Sequence, residues 1–482
     1  MKKSIVKNTL FNVMYRLLNV LFPMITAMYV ARVLLPAGVG KVSYAQNILS
    51  YFTMAATLGI PTYGAREAAR VTTNKKESDK LFSELFILNF ISTLVCSFIY
   101  VALIYSVHTF LEQKVLFWVV GLPLFLNVFN VDWFYYGNED YAYITLRSTA
   151  VKIISVICIF IFVKNENSLV IYALISSLAV SGNYLLNIIH IRKYVKFTLR
   201  NISLYRHLKP VFILLLTMLA TDLYNQVDVT MMGSMCSSEE IGYYSYATKM
   251  VRIIYSISTA IAITTLPRLS NYYIEKKEKE FRKLFDKTMK VMLIFVVPCT
   301  LGITLITDMI VSVVYGKSFL PSVPIIKVAA PLIMIVTISF LCGSVVLTAV
   351  NKEKYLLLAT ISGMCVNVLM NVTLIPKMAG KGAAIASVCG ELTVMLIHII
   401  CARRFIGIDF TRKDLFSVFV SAFFLIGTVI FMRNTVNSTV LGLIATMSVG
   451  AAIYFGMLYL LGNTTVRWII GRINVTRLFH KR

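Results

Sequence analysis

Apolar runs of about twenty residues, the length of helix needed to cross a bilayer, recur from the start of this chain nearly to its end. They predict an all-α polytopic membrane protein of about fourteen transmembrane helices. The expected spans are residues 8–30, 42–60, 82–107, 115–136, 142–163, 168–190, 210–233, 242–266, 288–315, 321–349, 354–375, 380–402, 414–432 and 439–461. Composition excludes most soluble readings: of 482 residues 58% are hydrophobic and 14% charged, with mean hydropathy +0.77, whereas soluble domains carry roughly 25% charged residues. The first run follows Met1-Lys2-Lys3, as a signal peptide would, but it has no small-residue cleavage site and further spans follow, so it reads as the first helix.

A net charge of +25 would suggest nucleic acid in a soluble protein. Here the cations sit in short loops between apolar runs, where they set topology, and no nucleic acid is expected. With a cytoplasmic N-terminus, the inside loops hold Arg66, Arg70, Lys75, Lys76 and Lys80, then Arg192, Lys193, Lys196, Arg200, Arg206 and Lys209. The next adds Arg268, Lys276, Lys277, Lys279, Arg282, Lys283 and Lys287, and later come Arg403, Arg404, Arg412, Lys413 and a basic tail. Alternate loops are nearly bare of cations, as around Ser237, Ser238, Glu239 and Glu240. Both termini are therefore expected in the cytoplasm. The eight cysteines include no Cys-x-x-Cys and the five histidines form no ligand cluster, so neither a disulfide framework nor a metal site is signalled. Without a G-x-x-x-x-G-K-[ST] motif or a soluble segment long enough for an ATPase, no catalytic residues and no cofactor are expected.

An internal repeat relates the second and eighth helices. The second begins Gly40-Lys41-Val42-Ser43-Tyr44-Ala45 and leaves at Pro61, while the eighth begins Gly242-Tyr243-Tyr244-Ser245-Tyr246-Ala247 and leaves at Pro267. A displacement of six helices preserves orientation, as in transporters built from parallel repeats about the membrane normal. The expected domains are a six-helix bundle over residues 1–209, a second over 210–402, and two added helices with a basic cytoplasmic tail over 403–482.

Charges near the middle of membrane helices mark function by default. Arg16 lies about 12 Å into the first helix at 1.5 Å per residue, and Asn8, Asn12, Arg16, Asn19, Pro23 and Thr26 share one side of it. On the eighth helix Ser245, Lys249, Arg252, Ser256 and Thr259 repeat at spacings of four and three. Two cations on one face repel; a hydrated cavity or a bound anion relieves the cost, as would carboxylate partners such as Asp222 or Glu391. Polar positions continue the pattern on the second helix (Ser43, Gln46, Asn47, Ser50, Thr53, Thr57) and the seventh (Thr217, Thr221, Asn225, Asp228). Helices one, two, seven and eight thus read as the lining of a central cavity, with Lys152 and Lys327 as further sources of positive field. Asp222 and Glu391 are candidates either for a coupling H⁺ or Na⁺ or for ion pairing. Arg66 and Arg70, four apart on an interfacial helix after Pro61, are candidates for lipid phosphates or for topology alone. The aromatic cluster Trp133-Phe134-Tyr135-Tyr136 suits a belt at headgroup level. A channel is disfavoured, because its charges would ring a pore. A membrane glycosyltransferase or polymerase would need a large outside loop, and every outside loop is short.

Three motifs, Gly38-Val39-Gly40-x-x-x-Tyr44-Ala45, Gly59-Ile60-Pro61-x-x-Gly64-x-Arg66-Glu67 and Asp132-Trp133-Phe134-x-x-Gly137, together with helix count and loop spacing, give the chain its resemblance. It resembles the Wzx-type polysaccharide flippases, exporters of O-antigen and capsule repeat units, within the multidrug/oligosaccharidyl-lipid/polysaccharide exporter superfamily. The resemblance implies a MATE-like two-bundle (6+6) transporter with two C-terminal helices, in the bacterial cytoplasmic membrane. Its implied cargo is an undecaprenyl-pyrophosphate-linked oligosaccharide, carried from the inner to the outer leaflet by alternating access among membrane lipids. Polysaccharide polymerase and other assembly proteins are the implied partners. The pyrophosphate role maps onto Arg16, Lys249 and Arg252, and sugar contacts onto Asn12, Asn19, Gln46, Asn47, Asn225 and Ser256. The alternatives are a lipid-linked peptidoglycan-precursor flippase, which also handles a pyrophosphate, and a MATE-type drug or metabolite antiporter, whose cationic cargo calls for a carboxylate-rich cavity.

Overall fold

The computed structural model describes the backbone of residues 5–407 and 412–470, with the side chains in these ranges other than those of residues 5–21, 23, 24, 217, 220 and 221. Regular structure among the described residues is helical throughout, without strands, as lipid requires of a chain that must satisfy its own backbone groups. In order, α1 is Ile5–Thr57, α2 Ile60–Val71 and α3 Lys75–Ser106; α4 to α7 are the short pieces His108–Glu112, Lys114–Val120, Leu122–Phe125 and Asp132–Gly137. Then come α8 Tyr141–Phe162, α9 Leu169–Ile191, α10 Tyr205–Met235, α11 Ser238–Ile263, α12 Leu266–Ile274 and α13 Glu278–Val314. The chain continues through α14 Val323–Ala329, α15 Leu332–Phe340, α16 Lys354–Ala402, α17 Arg412–Thr435 and α18 Val440–Leu460.

Among the described residues nine helices are long and apolar enough to cross a membrane, or ten with the bent pair Lys317–Ala329 and Leu332–Leu347. Two of them are far too long for one crossing. α1 and α16 have 53 and 49 residues, over twice the roughly 30 Å of a hydrocarbon core at 1.5 Å per residue. Each breaks inside: α1 at Leu35 (φ 58°), which precedes Pro36 and is barred from helical geometry by it, and α16 at Ala379 (φ 44°). Beside the second break, Gly382 lies against the Leu374 carbonyl, where a side chain has no room. Each kinked helix therefore holds two expected spans, and fourteen remains the expectation for the whole.

The fourth expected span, 115–136, is not one helix but the fragments α5 to α7 with a 3₁₀ turn at Asn127–Phe129. Such a break survives in a membrane when side chains re-satisfy the freed backbone. Asn89 of α3 does this: its amide donates to the Asn127 carbonyl at 2.9 Å, and its Oδ1 accepts from Asn127 Nδ2 at 3.0 Å. The tenth span is broken likewise, ending in a π-helix over Leu341–Leu347, where Gly343 makes room for the buried His398 ring.

The chain divides into two compact units, Met1–Gly233 with Ser237–Gly242, and Ser234–Cys236 with Tyr243–Arg482. α10 thus groups with the first unit, beyond the 209/210 division expected from the repeat. Hydrogen bonds hold it there: Asn47 Nδ2 donates to the Gln226 side chain at 2.8 Å, and the Tyr51 and Thr230 hydroxyls are 2.7 Å apart. The first unit also contains a reciprocal close approach. A β-carbon at Gly40 would overlap the Ser238 carbonyl, and one at Gly242 would overlap the Pro36 carbonyl. Positions 36 and 40 stand in the same relation as 238 and 242 in the repeat, so corresponding residues exchange the same contact. In the second unit α17 and α18 pack on α13 through Leu425, Val429, Leu443, Tyr454 and Leu458.

Candidate functional site

In the first unit a cavity of about 530 Å³ opens between the second limb of α1, α9 and α10. Gln46, Ser50, Thr53 and Thr57 line it from α1, a row made by three- and four-residue spacings on one helix face. Ser176, Ser177 and Tyr184 of α9 and Asp222 of α10 complete the polar wall, and Val120 and Pro123 border it where the fourth span is broken. Irregular backbone at membrane depth is expected where it lines such a cavity. The Thr53 and Thr57 hydroxyls donate to the Leu49 and Thr53 carbonyls of their own helix, which keeps oxygen lone pairs available as acceptors.

Asn47 has another place. It is buried, donates to Gln226 and accepts from Thr230 at 2.7 Å, so it fastens α10 to α1 and does not line the cavity. Asn225 is exposed on α10. Arg16, Asn12 and Asn19 fall on α1, but their side chains lie outside the described residues, as do those of Thr217 and Thr221.

In the second unit Lys249 is half-buried, with its ammonium 5.7 Å from the centre of the Tyr246 ring. Arg252, one turn on, is exposed. Arg252 of α11 and Glu391 of α16 both act electrostatically on the Tyr255 hydroxyl, so two helices bring a cation, a phenol and a carboxylate together. Ser256 turns its hydroxyl back to the Ile253 carbonyl at 2.6 Å. Lys152 is half-buried on α8 and Lys327 exposed on α14. Arg66 and Arg70 are exposed on α2, and both reach Glu67, at 3.2 and 3.0 Å.

Two charged clusters of the first unit escaped the sequence reading. Glu84, wholly buried, accepts from the Ser203 amide at 2.7 Å, from Arg206, and faces His207 Nε2 at 2.9 Å. His207 Nδ1 lies 2.7 Å from the Tyr63 hydroxyl of α2. Burial pushes the His207 imidazole below its ordinary value, outweighing the upward pull of the Glu84 bond. Secondly, Arg147 pairs with Asp132 at 3.0 Å, donates to Asn183 at 3.1 Å and also reaches Asn187, joining α7, α8 and α9. Glu84 and Arg147 both fall inside expected spans, so the rule that singled out Lys249 and Glu391 applies to them equally.

The motif residues prove to be packing residues. Trp133, Phe134 and Tyr135 are buried in the core with Tyr63, Phe82 and Leu85, so the belt expected of them is corrected. Their rings face inward because α7 is a short turn laid on α2 and not the end of a straight span. Gly64 lets α2 meet α7: a β-carbon there would stand 2.6 Å from the Trp133 ring, and one at Gly137 would stand 2.6 Å from the Ala65 carbonyl.

The family model described as polysaccharide biosynthesis protein matches residues 5–273, more than half of the chain. The chain belongs to this family. The MatE model matches residues 214–373. Among curated relatives, a putative O-antigen transporter of Escherichia coli K12 is 21% identical over 84% of the chain and 98% of its own length. A probable low-salt glycan biosynthesis flippase, Agl15 of Haloferax volcanii, is 23% identical over 49% of the chain, and the lipid II flippase MurJ of Bacillus subtilis 22% identical over 53%. The chain spans about half the length of these last two, 48% and 51%. A solved structure of lipid II flippase MurJ in an inward closed conformation superposes with TM-score 0.74 at 17% identity, covering 96% of this chain and 100% of its own. An inward-facing multidrug resistance MATE transporter of the MOP superfamily gives 0.63 at 14% identity, covering 80% and 93%. The fold of this chain is therefore MurJ- and MATE-like, all-α and polytopic.

Proposed function

We propose that the protein is a lipid-linked oligosaccharide flippase that carries an undecaprenyl-pyrophosphate-linked repeat unit from the inner to the outer leaflet of the bacterial cytoplasmic membrane by alternating access. The observation that carries this reading is the pair Lys249 and Arg252, one turn apart on a membrane helix, half-buried and exposed. A diphosphate repays the cost of two such cations, with the planar guanidinium giving paired hydrogen bonds. The hydroxyls and amide of the first unit's cavity suit sugar hydroxyls, which both donate and accept. Arg16 joins the pyrophosphate set in this proposal, and Gln46, Asn12, Asn19, Asn225 and Ser256 join the sugar set. Family membership and relatives named as O-antigen transporters and flippases support it. Asp222 and Glu391 are the proposed acceptors of a coupling H⁺ or Na⁺, and polysaccharide polymerase and other assembly proteins the proposed partners, with both termini cytoplasmic.

The test measures binding of a lipid-linked oligosaccharide pyrophosphate, with monodisperse yield in detergent, for Arg252→Ala, Arg252→Lys and Arg252→Glu. Loss of a charged hydrogen bond, about 1.5–3 kcal/mol, predicts roughly 10- to 100-fold weaker binding for Arg252→Ala at normal yield. Arg252→Lys should keep part of the affinity and Arg252→Glu the least. Undiminished binding by folded Arg252→Glu would sink the site. A collapse of yield in Arg252→Ala would assign Arg252 to a structural pairing with Glu391.

A further inference from the structure

We infer that the second unit carries a site for the phosphodiester headgroup of an anionic phospholipid, between α12, the first turn of α13 and the end of α16, separate from the cargo residues above. A cavity of about 230 Å³ lies there, with Lys276, Arg282 and Arg404 in its wall against the single carboxylate Glu278. At roughly 30 Å³ per water, it has room for a phosphate and the start of its glycerol. Arg282 donates to the Arg404 carbonyl at 3.2 Å, which ties the Arg282 guanidinium to the chain that follows α16. Tyr273 and Phe405 pack edge to face at 6.1 Å beside them, an aromatic border of the kind that sits at headgroup level.

Position argues for lipid as the source of the anion. α12 links two membrane helices through Pro267 and buries Leu269 completely, while Ile274 at its end is 74% exposed. An apolar side chain presented beside a cationic hollow, where a helix leaves the membrane, matches the chemistry of an acyl chain beneath a phosphate.

The experiment uses the full chain in detergent, titrated with phosphatidylglycerol, phosphatidylcholine or inorganic phosphate and read by native mass spectrometry. Phosphatidylglycerol should be retained in preference to phosphatidylcholine. The double variant Arg282→Gln/Arg404→Gln should bind it roughly tenfold or more weakly, since each basic residue at an anionic surface contributes on the order of a fivefold effect. Arg282→Lys/Arg404→Lys should keep most of the binding, which separates lost charge from lost fold. Arg192→Gln/Lys193→Gln, removing equal charge from an exposed loop of the first unit, should bind like the native protein. Unchanged binding in the glutamine pair, or an equal loss in the loop variant, would overturn the site. Displacement of the lipid by millimolar inorganic phosphate would overturn the lipid assignment in favour of a free phosphate.

Discussion

Glu84 holds its charge inside the first unit because an amide, a guanidinium and an imidazole all face its two oxygens. Desolvation of such a carboxylate costs several kcal/mol, and it is tolerable only while those partners stay in place. His207 is the partner that pH can change. It is flanked by Tyr63, Glu84 and Arg206, and burial lowers its proton affinity in the folded protein below the ordinary 6.5. The unfolded chain then binds the proton more readily than the fold does. This contribution to stability is complete above about pH 6.5 and is lost as pH falls through the lower folded value. The thermal midpoint of the detergent-solubilised protein should therefore drop between about pH 7.5 and about pH 5.5. In His207→Gln, which cannot protonate, the slope should be shallower, although the variant starts about 1–2 kcal/mol less stable. Parallel slopes in the two proteins would remove His207 from the acid response.

At the scale of elements, α2 and α7 meet through a contact with no spare volume. Gly64→Ala should place a methyl against the Trp133 ring and cost about 1–3 kcal/mol of thermal stability, as overpacking of a tight core does. Thr62→Ala, at an exposed position of the same helix, should be near neutral, and equal losses in the two would show that the contact is not specific. The length and hydropathy of α3, α8, α13 and α18 were legible in the sequence because a membrane imposes both directly. The breaks in the fourth and tenth spans were not, since a broken helix depends on a distant residue to satisfy its backbone. Asn89 is that residue for Asn127, 38 positions away, and local pattern carries no trace of it. Similarly, Trp133 to Tyr135 have the composition of an interfacial belt, and their burial follows from where α2 lies. In the candidate site, the polar rows of α1 and α11 were legible as helix faces, because periodicity alone defines a face. That Gln46 lines a cavity while its neighbour Asn47 ties α10 in place depends on a second helix. Glu84 and Arg147 sit near span ends, where charges normally reach water, and only their tertiary partners mark them as buried.

For the molecule as a whole, the bias of cations toward alternate loops is the ground for the proposed orientation, with both termini cytoplasmic. A cysteine placed at Lys279 in a background without the eight native cysteines should stay unlabelled by an impermeant reagent in intact cells and react after lysis. Labelling from outside would overturn the proposed orientation. The reciprocal approach of Gly40 to Ser238 and Gly242 to Pro36 bears on which positions of the expected repeat can vary. Most positions in a helix contact can vary when a neighbouring side chain adjusts in step. At these two positions the obstacle is a main-chain carbonyl, present whatever residue supplies it, so no compensating substitution across the contact can make room. Each of the two glycines thus meets a constraint that the other cannot relax, because at both of them backbone touches backbone.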